Sequence, residues 1–451
     1  MFRSVSLNSI STAACALALS AFVLIDIAAA QCSSSLLGNK SAISYTNAVD
    51  LEITDLNGDD SPDLIYGGTN SNVVVYWNAT STTGGQPSFF TNLGSVLTDT
   101  RGSYDLGIGD FITDSAHVDL IVSFVSAPSP QDGKDRVYKW NTTTQFFTYV
   151  GLVDPNEASD YCLDSGNNPY PYRKTTGVDL GDVDGDGKMD LVQSYRDSRC
   201  RLFLGDGLGG FGTIRIFPLF SSEQSDPYPG NGNRDIHLGD LDMDGDLDCA
   251  VVRYGEGGQP PCSRPETKNV VIYKNLGSPI NSFLPWQSLS LGASISVEFA
   301  DINGDGYLDL VQPLMNVLSG TLHTRVYLNN GNGILGSMAA GQPDILVQQS
   351  GVIASRTSSV AIADLNGDSL VDLVLTHPLD DGTDLYYDEI WLQKATNPIS
   401  FCLQETVSPF SGTANDETLY VEIDDVNMDG MPDYLDVNHQ STTQQVIVHV
   451  P

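Results

Sequence analysis

Asp182-Val-Asp-Gly-Asp-Gly-Lys-Met-Asp190 is the stretch from which the rest of the chain can be read. Carboxylates stand at its first, third, fifth and ninth positions, with glycine at the sixth. Ca²⁺ is a hard cation that takes six to eight oxygen ligands, and short alternating aspartates deliver them from one tight turn. Glycine lets the backbone turn sharply. The ligand set read from this loop is Asp182, Asp184, Asp186 and Asp190.

The pattern recurs. The same reading gives Asp55, Asn57, Asp59 and Asp63; Asp240, Asp242, Asp244 and Asp248; and Asp301, Asn303, Asp305 and Asp309. It gives Asp364, Asn366, Asp368 and Asp372, and finally Asp425, Asn427, Asp429 and Asp433. About six Ca²⁺ sites are therefore expected. A degenerate copy starts at Asp110, with Ile112 at the third position and Val118 at the ninth, and should hold no metal. The seven copies start 55 to 72 residues apart, which is the mark of a repeat architecture.

The loops are not EF-hands, because no glutamate stands at position twelve and the flanks read as strands. Alternation precedes each loop, as in Val178-Asp-Leu-Gly, and a short apolar run follows, as in Leu373-Val-Leu. Each loop thus joins two antiparallel strands, A and B. A third strand, C, follows, as at Val73, Arg136, Arg201, Val270, Arg325, Glu389 and Gln445. A fourth, D, opens on an aromatic such as Phe89, Phe146, Phe211, Phe283 or Phe401. Four strands in each of seven repeats predict an all-β, seven-bladed propeller with four-stranded antiparallel blades.

The loop, its A–B hairpin and Gly209-Gly-Phe-Gly212 resemble the FG-GAP (VCBS) repeats of integrin α-chain propellers and fungal integrin-like propeller lectins. The resemblance covers nearly all of the chain after residue 30. It implies the propeller fold and calcium, and leaves the ligand open, because this repeat serves many functions.

Residues 1–30 read as a secretory signal peptide: Arg3, an apolar run from Ala13 to Ile27, and the small residues Ala28-Ala-Ala30. Residues 31–451 then form one propeller, secreted and without membrane insertion. The net charge of −36 makes nucleic acid an unfavourable partner. The last repeat runs out of chain after strand C, so residues 35–45 are expected to complete blade seven. Six cysteines follow the signal. Topology suggests Cys162 with Cys200, Cys249 with Cys262, and Cys32 with Cys402, although six cysteines permit 15 connectivities. Asn39, Asn78 and Asn141 head glycosylation sequons, the last two read as the same repeat position just after strand C.

Three long connections, 153–174, 221–233 and 255–268, fall on the face opposite the calcium loops. Two carry Pro-Tyr-Pro, at 169–171 and 227–229. Tyr170, Tyr172 and Tyr228 are the candidate ligand contacts, since tyrosine offers a flat face with a polar tip. The expected function is a binding or adhesion module for carbohydrate or an extracellular protein. A second constellation lies three residues before each loop, on the innermost strand: Glu52, Gly107, Asp179, His237, Glu298, Ala361 and Glu422. These line the central channel, as water-exposed polar groups or, in the alternative reading, as the acid and base of a polysaccharide lyase. No other catalytic grouping occurs in the sequence.

Overall fold

The alternation that marks strands A to D is realised in every repeat. The computed structural model describes residues 25–28, 39–45, 48–68, 71–78, 90, 92–97, 102–113, 118–126, 134–154, 175–195, 198–218, 232–254, 268–277, 282–289, 292–315, 324–336, 343–348, 357–377, 388–396, 398–407, 417–439 and 444–450. These form seven sheets and, among the described residues, no helix.

Blade three shows the plan. Strands Thr175–Gly181, Asp190–Tyr195, Ser198–Gly205 and Phe211–Ile216 pair in that order, each antiparallel to the next. Asp190, the ninth loop residue, pairs with Gly181, so the loop is a hairpin turn. The inner strands of the other blades are Ala48–Thr54, Gly102–Gly109, Asn233–Gly239, Glu298–Ala300, Val360–Ala363 and Glu417–Asp424. Each touches the inner strand of the next blade, and the seventh touches the first. The sheets therefore close into a ring around a channel.

Closure uses the N-terminal segment. Strands Glu417–Asp424, Asp433–His439 and Gln444–Val450 are completed by Asn39–Tyr45 on the outside, with Asn39 opposite Val450 and Tyr45 opposite Gln444. This is the latch expected from the missing strand. Blade five carries an addition that the sequence did not suggest: Ile25–Ala28, within the expected signal peptide, runs parallel to its outer strand Ile345–Gln348. Blade five keeps four strands without it. The fourth strands of blades two, three and four open on Phe146, Phe211 and Phe283 as expected. In blade one this strand is Asn92–Leu97, and in blade six it begins at Ile399, ahead of Phe401.

The core is divided. Seven apolar clusters of buried side chains lie between neighbouring blades, one for each junction of the ring. At the closing junction Leu51, Leu64 and Val74 of blade one pack against Val426, Leu435 and Val448 of blade seven. A blade cannot bury its apolar face alone, so the ring is the folding unit. Among the described residues no helix is long and apolar enough to cross a membrane.

Deleting Asn39–Tyr45 removes seven residues of pairing and exposes the edge of Gln444–Val450. The expected outcome is aggregation or loss of cooperative unfolding, read by size-exclusion chromatography and thermal melting. A monomeric truncation that melts as the full chain does would show that the latch does not hold the ring.

Candidate metal and ligand sites

The six good loops share one backbone. Positions four and six have positive φ in all of them, glycine or not. Gly185 and Gly187 occupy these places in blade three. Elsewhere Met243, Met428, Asp60 and Ser369 adopt φ of 57°, 61°, 66° and 65° at the same places. An L-residue adopts this region only when something fixes it there. The fixture is the first aspartate. Asp182 accepts the N–H of Asp186 at 3.0 Å and of Gly187 at 2.9 Å, one on each oxygen. Asp55, Asp240, Asp301, Asp364 and Asp425 take the fifth and sixth amides of their own loops in the same way.

The carboxylates converge most closely in the two loops that carry aspartate at position three. Asp182, Asp184 and Asp190 bring one oxygen each within 4.8 Å of one another, and so do Asp240, Asp242 and Asp244. Where position three is asparagine, its amide donates to another expected ligand. Asn57, Asn366 and Asn427 bond to the ninth aspartate, and Asn303 bonds to Asp305.

The ninth aspartate has a second task that the ligand reading missed. Asp63, Asp190, Asp248, Asp309, Asp372 and Asp433 are all fully buried. In Asp309 one oxygen accepts the N–H of Ile302 at loop position two, 3.0 Å, and the other that of Asn329 at the end of strand C, 2.7 Å. Asp63, Asp190, Asp248 and Asp372 bond alike. The ninth residue therefore staples the hairpin to strand C. Burial pushes the Asp309 carboxyl up to about 7, against the lowering effect of those two amides. This also corrects the reading of the degenerate loop. Asp119, not Val118, fills the ninth place: it pairs with Gly109, accepts the N–H of Ile112 at 2.9 Å and is buried. One inserted residue hid it, and Ile112 stands where other loops have their second residue.

That second residue links blades. Leu56, Val183, Leu241, Ile302, Leu365 and Val426 are buried in the apolar cluster shared with the following blade. Their carbonyls are used as well. Asn275, Asn329 and Gln393, in or just after strand C, donate side-chain amides to Val183, Leu241 and Ile302 of the preceding blade at 2.7–2.8 Å. Asn78 does the same to Val426 across the closing junction. Asn78 is thus a buried linking amide, and its counterpart in blade two is Trp140, which contributes the backbone amide to Asp119. Asn141 lies one residue further on, so the two sequons do not share a repeat position. Asn141 is exposed, with its oxygen accepting the N–H of Thr143 and Thr144. Asn39 lies on the latch strand.

The axial residues form one electrostatic cluster, joined by a level that the sequence reading passed over. Two residues before Glu52 and His237, and before the place held by Gly107, the inner strand carries Asp50, Asp235 and Asp105. Strand alternation puts both levels on one face. These carboxylates tie the inner strands of blades one to five in succession. Asp50 accepts the N–H of Leu106 and Asp105 that of Val178, both at 2.6 Å, and Asp179 accepts that of Leu238 at 2.8 Å. Asp235 holds His237 at 2.9 Å and reaches the Val297 amide at 3.4 Å. Burial raises both Asp50 and Asp105, and the neighbouring Asp50 charge raises Asp105 further. Burial pushes Asp50 up to about 6, Glu298 to about 7 and Glu422 to about 8. Burial opposes a charge on His237, but the carboxylates of Asp235, Glu298 and Asp179 raise its pKa well above the ordinary value.

The loop and strand geometry gives the sequence comparison its meaning. Residues 182–251, from the aspartate loop of blade three to strand B of blade four, match the family model of the FG-GAP-like repeat. A seven-bladed ring with this match is consistent with an FG-GAP repeat propeller. No curated protein matches the sequence. Among solved structures it resembles BBS1N, determined in complex with ARL6DN and soaked with lead, at 11% identity. The match covers 90% of this chain and 94% of that one, with a TM-score of 0.51. It also matches the Dos1 propeller at 11% identity, over 89% and 78% of the two chains, TM-score 0.47. At such identity the likeness is one of fold.

In this propeller Cys200 and Cys249 are free and buried, which corrects the expected pairs with Cys162 and Cys262. Both are buried in the apolar cluster between blades three and four. Cys402, on the outer strand of blade six, is disulfide-bonded, with its partner outside the described residues. Cys32, Cys162 and Cys262 lie outside them as well, as do Tyr170, Tyr172 and Tyr228.

The axial carboxyls predict a pH effect. A carboxyl raised on folding binds its proton more tightly folded than unfolded. Its stabilisation is therefore present below the ordinary carboxylate value and lost as pH rises through the folded value. With Asp50, Glu298 and Glu422 raised to about 6, 7 and 8, calcium-free protein should lose melting temperature steadily as pH climbs across that window. Glu298→Gln with Glu422→Gln should flatten the fall. An unchanged slope would mean that these groups are ionised in the folded protein throughout.

Proposed function

We propose that the chain is a secreted, calcium-stabilised binding module that presents the loops opposite its metal face to a carbohydrate, with an extracellular protein as the second class of partner. The observation that carries the calcium reading is the common loop backbone: six loops fix the same two positive-φ residues, and in two of them three carboxylates converge within 4.8 Å. Asp242 Oδ1 in blade four is buried and has no partner, as a ligand atom awaiting a cation would be. An all-oxygen set suits a hard divalent ion. Bound Ca²⁺ would neutralise the clustered carboxylates. Asp55, Asp182, Asp240, Asp301, Asp364 and Asp425 with the third- and fifth-position residues would hold it, and the ninth aspartates would steady the hairpin.

Secretion rests on the signal-like segment ending at Ala30 and on the disulfide at Cys402. We assign Cys32 as the partner of Cys402, because it lies just before the latch strand of the neighbouring blade. The binding face is assigned by topology. The A–B loops share one end of the blades with the ends of strand C, so the long B–C and D–A connections leave from the other. The axial carboxylates are read as inter-strand ties, since their oxygens accept the amides of the next blade.

Two measurements test this. Removing calcium with EDTA should lower the melting temperature, because an ion that binds only the folded state stabilises it by mass action. An unchanged melting temperature would overturn the metal reading. A glycan array run beside an extracellular-protein display should then give a ligand. Tyr170→Ala and Tyr228→Ala should each weaken it by about 1–2 kcal/mol without changing calcium content.

Peptide mapping of the secreted chain checks the covalent assignments. Glycan should be found on Asn141, while Asn78, whose amide nitrogen is committed to Val426, should be bare. The same map should pair Cys32 with Cys402. Glycan on Asn78 of folded protein, or another partner for Cys402, would count against the assignments.

A further inference from the structure

Lys274 stands at the penultimate place of strand C in blade four, Lys268–Asn275. In blades one, three, five and six, aligned through the residue that bonds the ninth aspartate, the same place holds Trp77, Leu204, Leu328 and Leu392. The ammonium of Lys274 contacts Asp242 closely and lies 3.1 Å from Asp244, the third and fifth loop positions. Behind it is the Trp286 ring, 5.1 Å from the nitrogen to the centroid. Gly333 of blade five closes on that ring so tightly that a Cβ there would fall 2.1 Å from it.

The loop that Lys274 enters is unusual in the same respect. Blade four has Asp240, Asp242, Asp244, Asp246 and Asp248 and no asparagine donor among them. Blade three also carries a lysine, but Lys188 is well exposed and reaches only Asp186. In blade two, where the loop lacks its ligand set, the corresponding residue is Lys139, and its charge acts on the ninth-position Asp119. A lysine at this strand position thus places its charge against the loop in both blades that have one.

We propose that Lys274 is a built-in counter-cation of the blade-four loop, which makes this loop the weakest of the six calcium sites. The inference rests on the calcium reading above. A divalent ion entering among Asp240, Asp242 and Asp244 meets a fixed positive charge on two of its ligands. Binding requires the ammonium to move away, with the Trp286 face as the nearest alternative contact. Among the described residues of the other five loops the nearest parallel is Lys188, which pairs with the single ligand Asp186 from a more exposed position, whereas Lys274 holds two. The blade-four junction therefore tightens only at higher calcium concentration, while lysine keeps it closed below that.

Calcium titration of the full chain by calorimetry, with the bound ions counted by native mass spectrometry, tests this. Wild-type protein should show five tighter sites and one weaker. Lys274→Met should tighten the weak site about tenfold or more, and Lys274→Met with Asp242→Ala, which removes the third-position ligand oxygen, should lose it. Lys274→Arg, which keeps the charge, should leave it weak. Melting provides a second reading. Lys274→Met should be less stable than wild type in EDTA, with its carboxylates unbalanced, and at least as stable in saturating calcium. A purely structural lysine would lower stability under both conditions, and that result overturns the proposal. So do six equal sites in the wild type, or affinities unchanged in Lys274→Met; either leaves the calcium reading intact. Absence of calcium binding in both proteins overturns the calcium reading and this inference with it.

Discussion

The buried aspartate that closes each loop is the constraint on which the ring depends. A carboxylate with no access to water must find donors, and outside blade seven, where Asn427 supplies both its backbone and side-chain amides to Asp433, these find two backbone amides each. One lies at the second residue of the same loop and the other at the end of strand C. The hairpin and the third strand are thereby locked in register. Because the second residue is also the apolar plug of the next junction, and its carbonyl takes an amide from the next blade, the lock extends between blades. Loop chemistry and blade packing are the same structure seen from two sides.

This coupling explains where a metal would act. An ion bound by the first, third and fifth residues would rigidify a turn whose second residue is embedded in a junction. Its effect on stability would reach the ring as a whole, since no blade buries its core alone. Blade two shows how little is needed when the ligands are gone. It keeps the buried Asp119 and the plug Ile112, and it keeps its place in the ring.

The centre of the ring is held differently. Seven inner strands meet where space is short, and Gly177 lies so close to the Asp235 backbone that a Cβ would fall 2.9 Å away. Carboxylates at two levels accept amides from the neighbouring strand, and burial and mutual repulsion raise their pKa values while His237 opposes the rise at Asp179 and Glu298. The cluster is a seam as much as a lining.

The repeat, the four-strand blade and the latch were legible in the sequence because they depend on spacing and alternation, and a slip of one residue would turn a strand's apolar face outward. The loop positions were legible because only short oxygen donors at fixed steps make such a turn. What escaped was whatever depends on a neighbour in the next blade. Asp119 was hidden by one inserted residue, and only its pairing with Gly109 reveals it. Asn78 reads as a sequon until its amide is seen bonded to Val426, 348 residues away in the chain. Cys200 and Cys249 looked ready for disulfides until the junction buried them. Asp50, Asp105 and Asp235 are ordinary strand residues until the ring brings the next strand's amides to them. Sequence alone determined what each blade would be, because local periodicity sets strands and turns. Tertiary structure decided which polar groups join the blades, because those partners are chosen by closure of the ring and not by distance along the chain.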